Sequence, residues 1–303
     1  MTTSDLRRHI EAYWLRPESA IWDAIAAARI GPHLAGKPGL MEVGIGNGFF
    51  SFLMLGGAFT PDFDWFRSVG PDGFWSHADI FDHDAGVDIA KSVAAAPHTR
   101  IATALDHKAT LLSQARRLGF IDRLIEHDAN QPLPPDVAGH HAYSNMFYWL
   151  QAPIDAMHRV GERLPTGGSL VTVFPMPSFF DTCQSYRDPH PLWRLINRGR
   201  ANHIMWHMDA DTFRREIDAR GLFAVESIER YLCPLVLRLW DIGLRPLSVP
   251  LIKMANTLSE ADRLAIKAEW CDTVEKLAVP VLDEEAAHGA RTGGFLLAVL
   301  RKC

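Results

Sequence analysis

The sequence has few of the features that mark secreted, membrane-spanning or zinc-ribbon proteins. Its 303 residues contain only four cysteines and no C-x-x-C pair, and the four are Cys183, Cys233, Cys271 and Cys303. This spacing argues against a zinc ribbon or a disulfide scaffold and suits a reducing compartment. No apolar run reaches the ~18–20 residues that cross a bilayer. Residues 1–16 are charged and lack the apolar core of a signal peptide. These absences predict a cytoplasmic chain without a transmembrane segment.

A strong excess of one charge is also missing. The net charge is −5 and the sequence has no basic stripe, so no nucleic-acid partner is predicted. The G-x-x-x-x-G-K-S/T phosphate loop and the Tyr-x-x-x-Lys pair of many nicotinamide enzymes are both absent. Hydrophobic residues make up 48% of the chain, which is enough for a sizeable core.

The strongest positive feature is a glycine-rich turn. Leu40–Val43 is apolar apart from Glu42, and Gly44, Gly46 and Gly48 follow at alternate positions before an apolar run. The pattern predicts a buried strand, a tight turn and a helix start. Glycine supplies both the unusual backbone dihedrals and the room for a ligand to lie against bare backbone. A nucleotide-like ligand is therefore expected at this turn.

The spacing around the turn distinguishes between nucleotides. A dinucleotide fingerprint requires G-x-G-x-x-G with an acid about 20 residues further on. Here Phe49 stands where the third glycine of that fingerprint belongs, and Asp106 lies 58 residues after Gly48. Residues 56–98, which are rich in glycine, proline, aromatics and acids, account for this distance and are interpreted as an insertion.

Strand and helix patterns alternate from residue 100 onward. Strand-like runs occupy residues 101–105, 124–127, 141–145, 169–174, 223–231 and 294–301, and helix-like runs occupy residues 108–118, 154–164 and 209–220. Before the glycine turn, residues 5–34 have apolar spacings typical of two helices divided by Pro17. This alternation predicts a mostly parallel sheet covered on both faces, with the last strand antiparallel to its neighbour.

Three acids fall at the ends of predicted strands, namely Glu42, Asp106 and Asp128. In open α/β sheets, ligands bind outside the carboxyl ends of the strands, where the strand order reverses. An acid at the end of the second strand can accept hydrogen bonds from ribose hydroxyls, and an acid at the third can meet an adenine amino group.

Five motifs in this order resemble those of class I S-adenosylmethionine-dependent methyltransferases. They are the E-x-G-x-G-x-G run at residues 42–48, the acid-then-helix segment 105–116, the Asp-Ala-x-x-Leu-Pro-like segment 127–134, the fourth-strand segment 143–150, and the Pro-Thr-Gly-Gly turn in 164–170. The resemblance implies an α/β fold with a Rossmann-like, doubly wound, mostly parallel seven-stranded sheet, helices on both faces and inserted cap segments.

The resemblance also implies S-adenosyl-L-methionine as cofactor and assigns a role to each matching residue. Glu42 and the glycine backbone would hold the methionine part, Asp106 the ribose, and Asp128 with the Ala129 backbone the adenine. The sulfonium side would be lined by Asn145 and Met146. The full set of predicted cofactor-binding residues is Glu42, Gly44, Gly46, Asn47, Gly48, Asp106, His107, Asp128, Ala129, Asn145 and Met146.

The chain is predicted to divide into a cofactor-binding core and segments that interrupt it. N-terminal helices occupy residues 1–37. The core is expected at residues 38–175, 209–231 and 292–303, with inserted substrate-cap or lid segments at 56–98, 176–208 and 232–291.

Fewer sequence signals point to the residues that would bind or activate the methyl acceptor. His203 and His207, which could share a helix face, and Tyr148 are the candidate catalytic residues, since histidine is a base near neutral pH. Arg198 and Arg200 suit a phosphate or carboxylate. The inserted segment 56–98 contains histidines and acids, but a solvated loop explains them as well, and no metal site is predicted. The apolar segment 231–256 fits an internal cap, a homodimer face or peripheral contact with a membrane.

Together these features predict a methyltransferase that acts on a small-molecule acceptor by in-line transfer, with oxygen as the expected methylated atom. The acceptor is expected to be anionic, phosphate-bearing or a lipid-linked glycan. Two other classes stay open: a nicotinamide-dependent oxidoreductase and a non-catalytic adenosyl-binding protein.

Overall fold

A single large sheet organises the chain in the computed structural model, which describes residues 3–69, 86–187, 190–193 and 204–303. The strands are β1 (Leu40–Val43), β2 (Ala58–Phe59), β3 (Val93–Ala95), β4 (Ile101–Asp106), β5 (Ile121–Glu126), β6 (His141–Ser144), β7 (Ser169–Pro175), β8 (Phe223–Tyr231) and β9 (Phe295–Lys302). Seven of them form the sheet in the order β5-β4-β1-β6-β7-β9-β8, and β2 and β3 form a separate antiparallel pair.

The large sheet is parallel from β5 to β7, and only β9 runs antiparallel to its neighbours. The predicted Rossmann-like, doubly wound, mostly parallel seven-stranded sheet is therefore confirmed. The strand order reverses between β1 and β6, because the chain adds β4 and β5 on one side and β6 and β7 on the other. This reversal is where an open α/β sheet forms its ligand crevice.

Helices cover both faces of the sheet. They are α1 (Thr3–Ala12), α2 (Pro17–Leu34), α3 (Phe49–Met54), α4 (Ala109–Arg117), α5 (Pro153–Glu162), α6 (Pro177–Thr182), α7 (Gln184–Arg187), α8 (Ala210–Arg220), α9 (Pro234–Arg238), α10 (Ser248–Ala255) and α11 (Glu260–Thr292). None of the described helices combines the length and the apolar character needed to cross a bilayer.

Local signals explain where several helices begin and end. Pro17 opens α2, where its missing N–H leaves no hydrogen bond unmade. The Asp209 side chain accepts a hydrogen bond from Thr212 N at 2.7 Å and so caps α8, and Gly221 ends that helix with a φ of 64°. These bounds agree with the sequence pattern.

Alternate residues of β1 pack into two different cores. Leu40 joins the core beneath α1, α2 and α3, whereas Met41 and Val43 join the core beneath α5. Glu42 therefore faces the same side as Leu40, where it meets Ser51 of α3. A carboxylate is thus placed inside an apolar layer near the carboxyl edge of the sheet.

The third strand of the alternation differs from the prediction. It runs over Ile121–Glu126 rather than residues 124–127, and it stops two residues before Asp128. His127 N still donates to Asp106 O at 2.8 Å, but the Asp128 side chain then accepts from Asn130 N and starts a turn. Local hydrogen bonding by an aspartate ends the strand early.

A buried ion pair joins the first inserted segment to the helices around it. Asp64 accepts hydrogen bonds from Trp14 Nε1 at 3.0 Å and from Phe66 N at 3.1 Å. The same carboxylate pairs with Arg263 of α11, and both side chains are almost fully buried. Three distant parts of the chain meet at this one acid.

We expect Asp64→Ala to lower the free energy of unfolding by about 3–5 kcal/mol, because it leaves the Arg263 charge buried without its partner. Urea denaturation measures the loss. The matched control is Glu260→Ala, which removes the exposed partner of Arg67 and should leave the unfolding midpoint nearly unchanged. Equal effects of the two variants would contradict this reading of Asp64.

Candidate active site

The end of β4 anchors the glycine turn. Gly44 N and Ile45 N both donate to Leu105 O, at 2.7 and 3.1 Å. Gly46 N donates to Asp106 Oδ2 at 2.8 Å, while Asp106 Oδ1 accepts from the backbone N–H of residue 108 at 3.0 Å. The carboxylate that the sequence assigns to a ligand thus also holds the turn in place, with lone pairs left for further donors.

The three glycines of the turn are needed for different reasons. All three have positive φ, at 81° for Gly44, 58° for Gly46 and 78° for Gly48. A Cβ at Gly44 would lie 2.1 Å from Met146 Cγ, and one at Gly48 would lie 2.9 Å from Leu118 Cδ1. No described atom lies within 4 Å of a Cβ built on Gly46. Only the middle glycine therefore faces open space of the kind that a ligand needs.

Glu42, which lies beside this turn, has a buried carboxyl group with a raised pKa. It is 2% exposed, and its Oε1 accepts a hydrogen bond from Ser51 Oγ at 2.7 Å. Its Oε2 has no hydrogen-bond partner among the described residues. Burial raises the pKa of Glu42 to about 8, and the nearby Asp106 charge raises it further. The carboxyl group is therefore mostly protonated at pH 7.

Two further acids follow neighbouring strands at the same edge of the sheet. Asp106 ends β4 and is 8% exposed. The exposed side chain of His107 places its Nδ1 3.5 Å from Asp106 Oδ1. Asp128 follows β5 and is exposed, and the backbone hydrogen bond from Asn130 lowers the pKa of its carboxyl. Ala129 packs against the core beneath α5. An ionised carboxylate at Asp128 can accept a further donor from a ligand.

The loop after β6 closes the other side of the turn. Ser144 Oγ donates to Val43 O at 2.7 Å and accepts from Met146 N at 3.2 Å, so this loop is tied to β1. The side chain of Met146 then lies over Gly44. Asn145 is half-buried beside it. In the turn itself, Asn47 Oδ1 accepts a hydrogen bond from the N–H of residue 49 at 3.1 Å, at the start of α3.

The candidate catalytic residues are only partly brought together. Tyr148 is half-buried, and its carbonyl accepts from Met205 N at 3.2 Å and Trp206 N at 3.3 Å. His207 is exposed and lies 4.8 Å from the Phe180 ring. Residues 204–209 form no helix, so a helix face shared with His207 is wrong for this part of the segment. His203 lies outside the described residues.

A cluster of polar residues that the sequence analysis missed lies next to Glu42. We call Asp23, Glu42, Tyr143, Tyr148 and Tyr231 the tyrosine cluster. Tyr143 is the register partner of Glu42 on β6, is 0% exposed, and leaves its hydroxyl without a hydrogen-bond partner among the described residues. Burial raises the pKa of Tyr143, and the other four members raise it further.

Asp23 is the second acid of the cluster, after Glu42, whose carboxyl pKa is raised. It is half-buried on α2, and burial raises its pKa to about 7, with Arg16 opposing and Glu18 adding to the shift. The signal that could have revealed it is its position as the lone acid in the apolar stretch from Ile21 to Ile30. Tyr143 gave no comparable signal, because a tyrosine inside a strand is ordinary.

Carboxyl groups, buried phenolic hydroxyls and the open backbone of Gly46 lie toward the carboxyl edge of the sheet. The described residues contain no group of three or more histidine, cysteine or acidic side chains placed to hold a metal ion. The histidines and acids at residues 77–84 lie outside the described residues.

Comparisons with known proteins give only distant similarities. No protein family and no curated protein matches the sequence. A solved S-adenosylmethionine-dependent methyltransferase from Mesorhizobium loti is 17% identical, with a TM-score of 0.47 over 91% of this chain and 96% of that one. One from Thiobacillus denitrificans, in complex with S-adenosyl-L-homocysteine, is 14% identical, with a TM-score of 0.44 over 91% and 90%.

The cyclase SpnF is also similar, at 15% identity and a TM-score of 0.45 over 93% of this chain and 81% of that one. Likenesses of this degree concern the general fold and say nothing about the ligand or reaction of this chain.

The raised pKa of Glu42 predicts a pH dependence of stability. The folded-state pKa of about 8 exceeds the ordinary value of 4.5, so between these values the folded protein binds the extra proton. The free energy of unfolding should therefore fall as pH rises from about 5 to about 8. Glu42→Gln should remove this contribution, a few kcal/mol at about 1.4 kcal/mol per pKa unit. Urea denaturation of both proteins across this range measures it, and parallel pH curves would contradict the assignment.

Proposed function

We propose that this chain is an S-adenosyl-L-methionine-dependent methyltransferase that methylates an oxygen of a small molecule. One observation carries the proposal. Glu42 presents a buried, unpartnered carboxyl oxygen beside the open backbone of Gly46, at the point where the strand order reverses. A ligand with a cationic end and a nucleoside end satisfies this crevice, because Asp106 and Asp128 follow the next two strands.

The residues fit the cofactor one by one. The ammonium group of its methionine part would pair with Glu42 and favour the ionised carboxylate that burial alone disfavours. Asp106 would accept from the ribose hydroxyls, with His107 beside it, and Asp128 with the Ala129 backbone would meet the adenine. Bound there, the cofactor supplies a methyl group on a positively charged sulfur.

The loop after β6 would border the reacting end of the cofactor. Asn145 and Met146 are half-buried there, and the carbonyl of Tyr148 holds the backbone of residues 205 and 206 across the loop. In-line transfer depends mainly on alignment and on excluding water. Tyr148, His207 and His203 stay candidate catalytic residues on this side of the site.

The chemical class of the acceptor, the cellular location and the assembly of the protein remain predictions. The arginines that suggested an anionic, phosphate-bearing or lipid-linked glycan acceptor, Arg198 and Arg200, lie outside the described residues. A cytoplasmic location, a homodimer and peripheral membrane contact stay predictions. The other candidate functions make different predictions. A nicotinamide enzyme should bind NAD, and an adenosyl-binding protein should bind the cofactor without turnover.

We expect S-adenosyl-L-homocysteine to bind the protein in titration calorimetry and NAD not to bind. Asp106→Asn should weaken S-adenosyl-L-homocysteine at least about tenfold, because a charge-assisted hydrogen bond contributes about 1.5–3 kcal/mol. The control is Asp122→Asn, since Asp122 is an exposed acid near the opposite end of β5. Binding of NAD alone, or equal affinities of the two variants, would contradict the proposal.

Binding of S-adenosyl-L-homocysteine at pH 7 should release nearly one proton, because Glu42 must ionise to pair with the ammonium group. Calorimetry in buffers of different ionisation enthalpy counts the protons. Glu42→Gln should bind more weakly and release none. Wild-type binding without proton release would show that Glu42 stays protonated and does not hold the ammonium group.

A further inference from the structure

Asn130 joins two loops at the carboxyl edge of the sheet. Its backbone N–H and its side-chain Nδ2 both donate to Asp128 Oδ1, each at 2.9 Å. Its own Oδ1 accepts from the backbone N–H of Gln151 at 3.0 Å. Asp128 follows β5 and Gln151 follows β6, and these two strands are separated in the sheet by β4 and β1. One half-buried amide therefore bridges the loops on the two sides of the glycine turn.

The two hydrogen bonds from Asn130 fix the orientation of the Asp128 carboxylate. Both end on Oδ1, and Oδ2 makes no hydrogen bond to any described residue. Asp128 is exposed, so a ligand can reach it. The backbone hydrogen bond from Asn130 lowers the pKa of this carboxyl, and the side-chain hydrogen bond lowers it further. The free Oδ2 therefore belongs to an ionised group that can only accept.

Asp128 lies next to the acid that the cofactor's ribose would meet. His127 N donates to Asp106 O at 2.8 Å, which holds the start of the loop after β5 against the end of β4. Asp106 in turn accepts from the N–H of Gly46, the open glycine of the turn. A nucleoside whose ribose meets Asp106 thus has Asp128 as the next acceptor along the edge of the sheet.

The bridge continues from Gln151 to a segment that crosses the carboxyl ends of β6 and β7. We call residues 205–208 the strap. Its first two backbone N–H groups donate to Tyr148 O, at 3.2 and 3.3 Å, and its last donates to Pro175 O at 3.1 Å. The indole Nε1 of Trp206 donates to Gln151 O at 3.2 Å, and this residue stays 40% exposed. The strap is therefore held on the same loop that Asn130 contacts.

We propose, on the basis of the function proposed above, that Asn130 is a positioning residue. It directs Asp128 Oδ2 toward the 6-amino group of the cofactor's adenine, and it ties that end of the cofactor to the strap through the backbone of Gln151. The hydrogen bonds run without a gap from Asp128 to Trp206.

The first consequence is selectivity for a base that carries an exocyclic amino group. The amino group donates to the Asp128 carboxylate, and hydrogen bonds to an ionised acceptor are among the stronger ones. A purine without the amino group leaves Oδ2 without this donor. If the two bonds from Asn130 are reduced to the backbone one, the carboxylate can rotate into solvent and the difference between the two bases shrinks.

The second consequence concerns the strap. Bound adenine restrains Asp128 and Asn130, and Asn130 in turn restrains the backbone of Gln151. Because Gln151 O holds the indole of Trp206, the strap should open less often when the cofactor site is occupied. Hydrogen exchange of backbone amides reports such local opening.

The binding test uses the full chain and two probes in titration calorimetry. They are S-adenosyl-L-homocysteine and its 6-deamino analogue, in which purine replaces adenine. We expect the wild type to bind the first about tenfold more tightly than the second. Asn130→Ala should bind the two probes within about twofold of each other, because Asp128 is no longer held toward the base.

The matched control is Gln151→Ala. It removes an exposed side-chain amide from the bridged loop but keeps the backbone groups that bond to Asn130 and Trp206. It should keep the wild-type ratio of affinities. The ratio distinguishes positioning from general damage, which would weaken both probes alike. The urea unfolding midpoint checks that each variant is folded.

The exchange test compares the backbone amides of residues 205 and 206 without and with saturating S-adenosyl-L-homocysteine. We expect the ligand to slow their exchange severalfold in the wild type and not in Asn130→Ala. Asn130→Asp keeps an acceptor for Gln151 N but has no side-chain donor for Asp128. It should therefore lose the selectivity between the probes and keep the slowed exchange.

The outcomes separate the two proposals. Failure of the wild type to bind S-adenosyl-L-homocysteine would overturn the methyltransferase proposal itself. Binding of that ligand with a wild-type ratio in Asn130→Ala, or loss of both probes by the folded variant, would overturn the positioning of Asp128 by Asn130 and leave the cofactor assignment standing. Equal exchange of the strap amides with and without ligand in the wild type, or equal slowing in Asn130→Ala, would overturn the link to the strap.

Discussion

The glycine turn depends on the hydrogen bonds it makes to the end of β4. The backbone N–H groups of residues 44, 45 and 46 all donate to Leu105 O or to the Asp106 carboxylate. Without these acceptors the three N–H groups of the turn would lose their hydrogen bonds. The anchor fixes the open face of Gly46 and the position of Glu42 on the preceding strand. Asp106 can serve a ligand only because it is already held by the fold.

Around this anchor the protein keeps polar groups that do not stabilise its folded state. Glu42 Oε2 and the Tyr143 hydroxyl are buried without described partners, and Asp23 has a pKa raised by burial. Each costs free energy that must be offset elsewhere, for example by the aromatic packing around Phe295. Perturbed acids gathered at one crevice are typical of a functional site rather than of a structural core.

Local patterns predicted the fold well, because most of its signals act over a few residues. Pro17, Asp209 and Gly221 mark helix ends by their own backbone and side-chain preferences. The positions of Glu42, Asp106 and Asp128 at or near strand ends likewise follow from the alternation of strand and helix patterns along the chain. The prediction failed where a local side-chain hydrogen bond competed with the sheet, as at Asp128, which ends β5 early. It also failed at residues 204–209, which form no helix around His207.

By itself, the sequence determined the α/β alternation, the glycine turn and the acids at three strand ends, since each depends on residue type and spacing within one segment. Only the tertiary structure decided that Met146 covers Gly44 while Gly46 stays open, and that Asp23 of α2 lies near Tyr143 and Tyr231. Those residues are far apart in the chain, and their burial and pKa values come from neighbours that only folding supplies. The glycine turn and the strand-end acids could therefore be read from motifs, whereas the burial of Glu42 and the raised pKa of Asp23 are set by packing between distant parts of the chain.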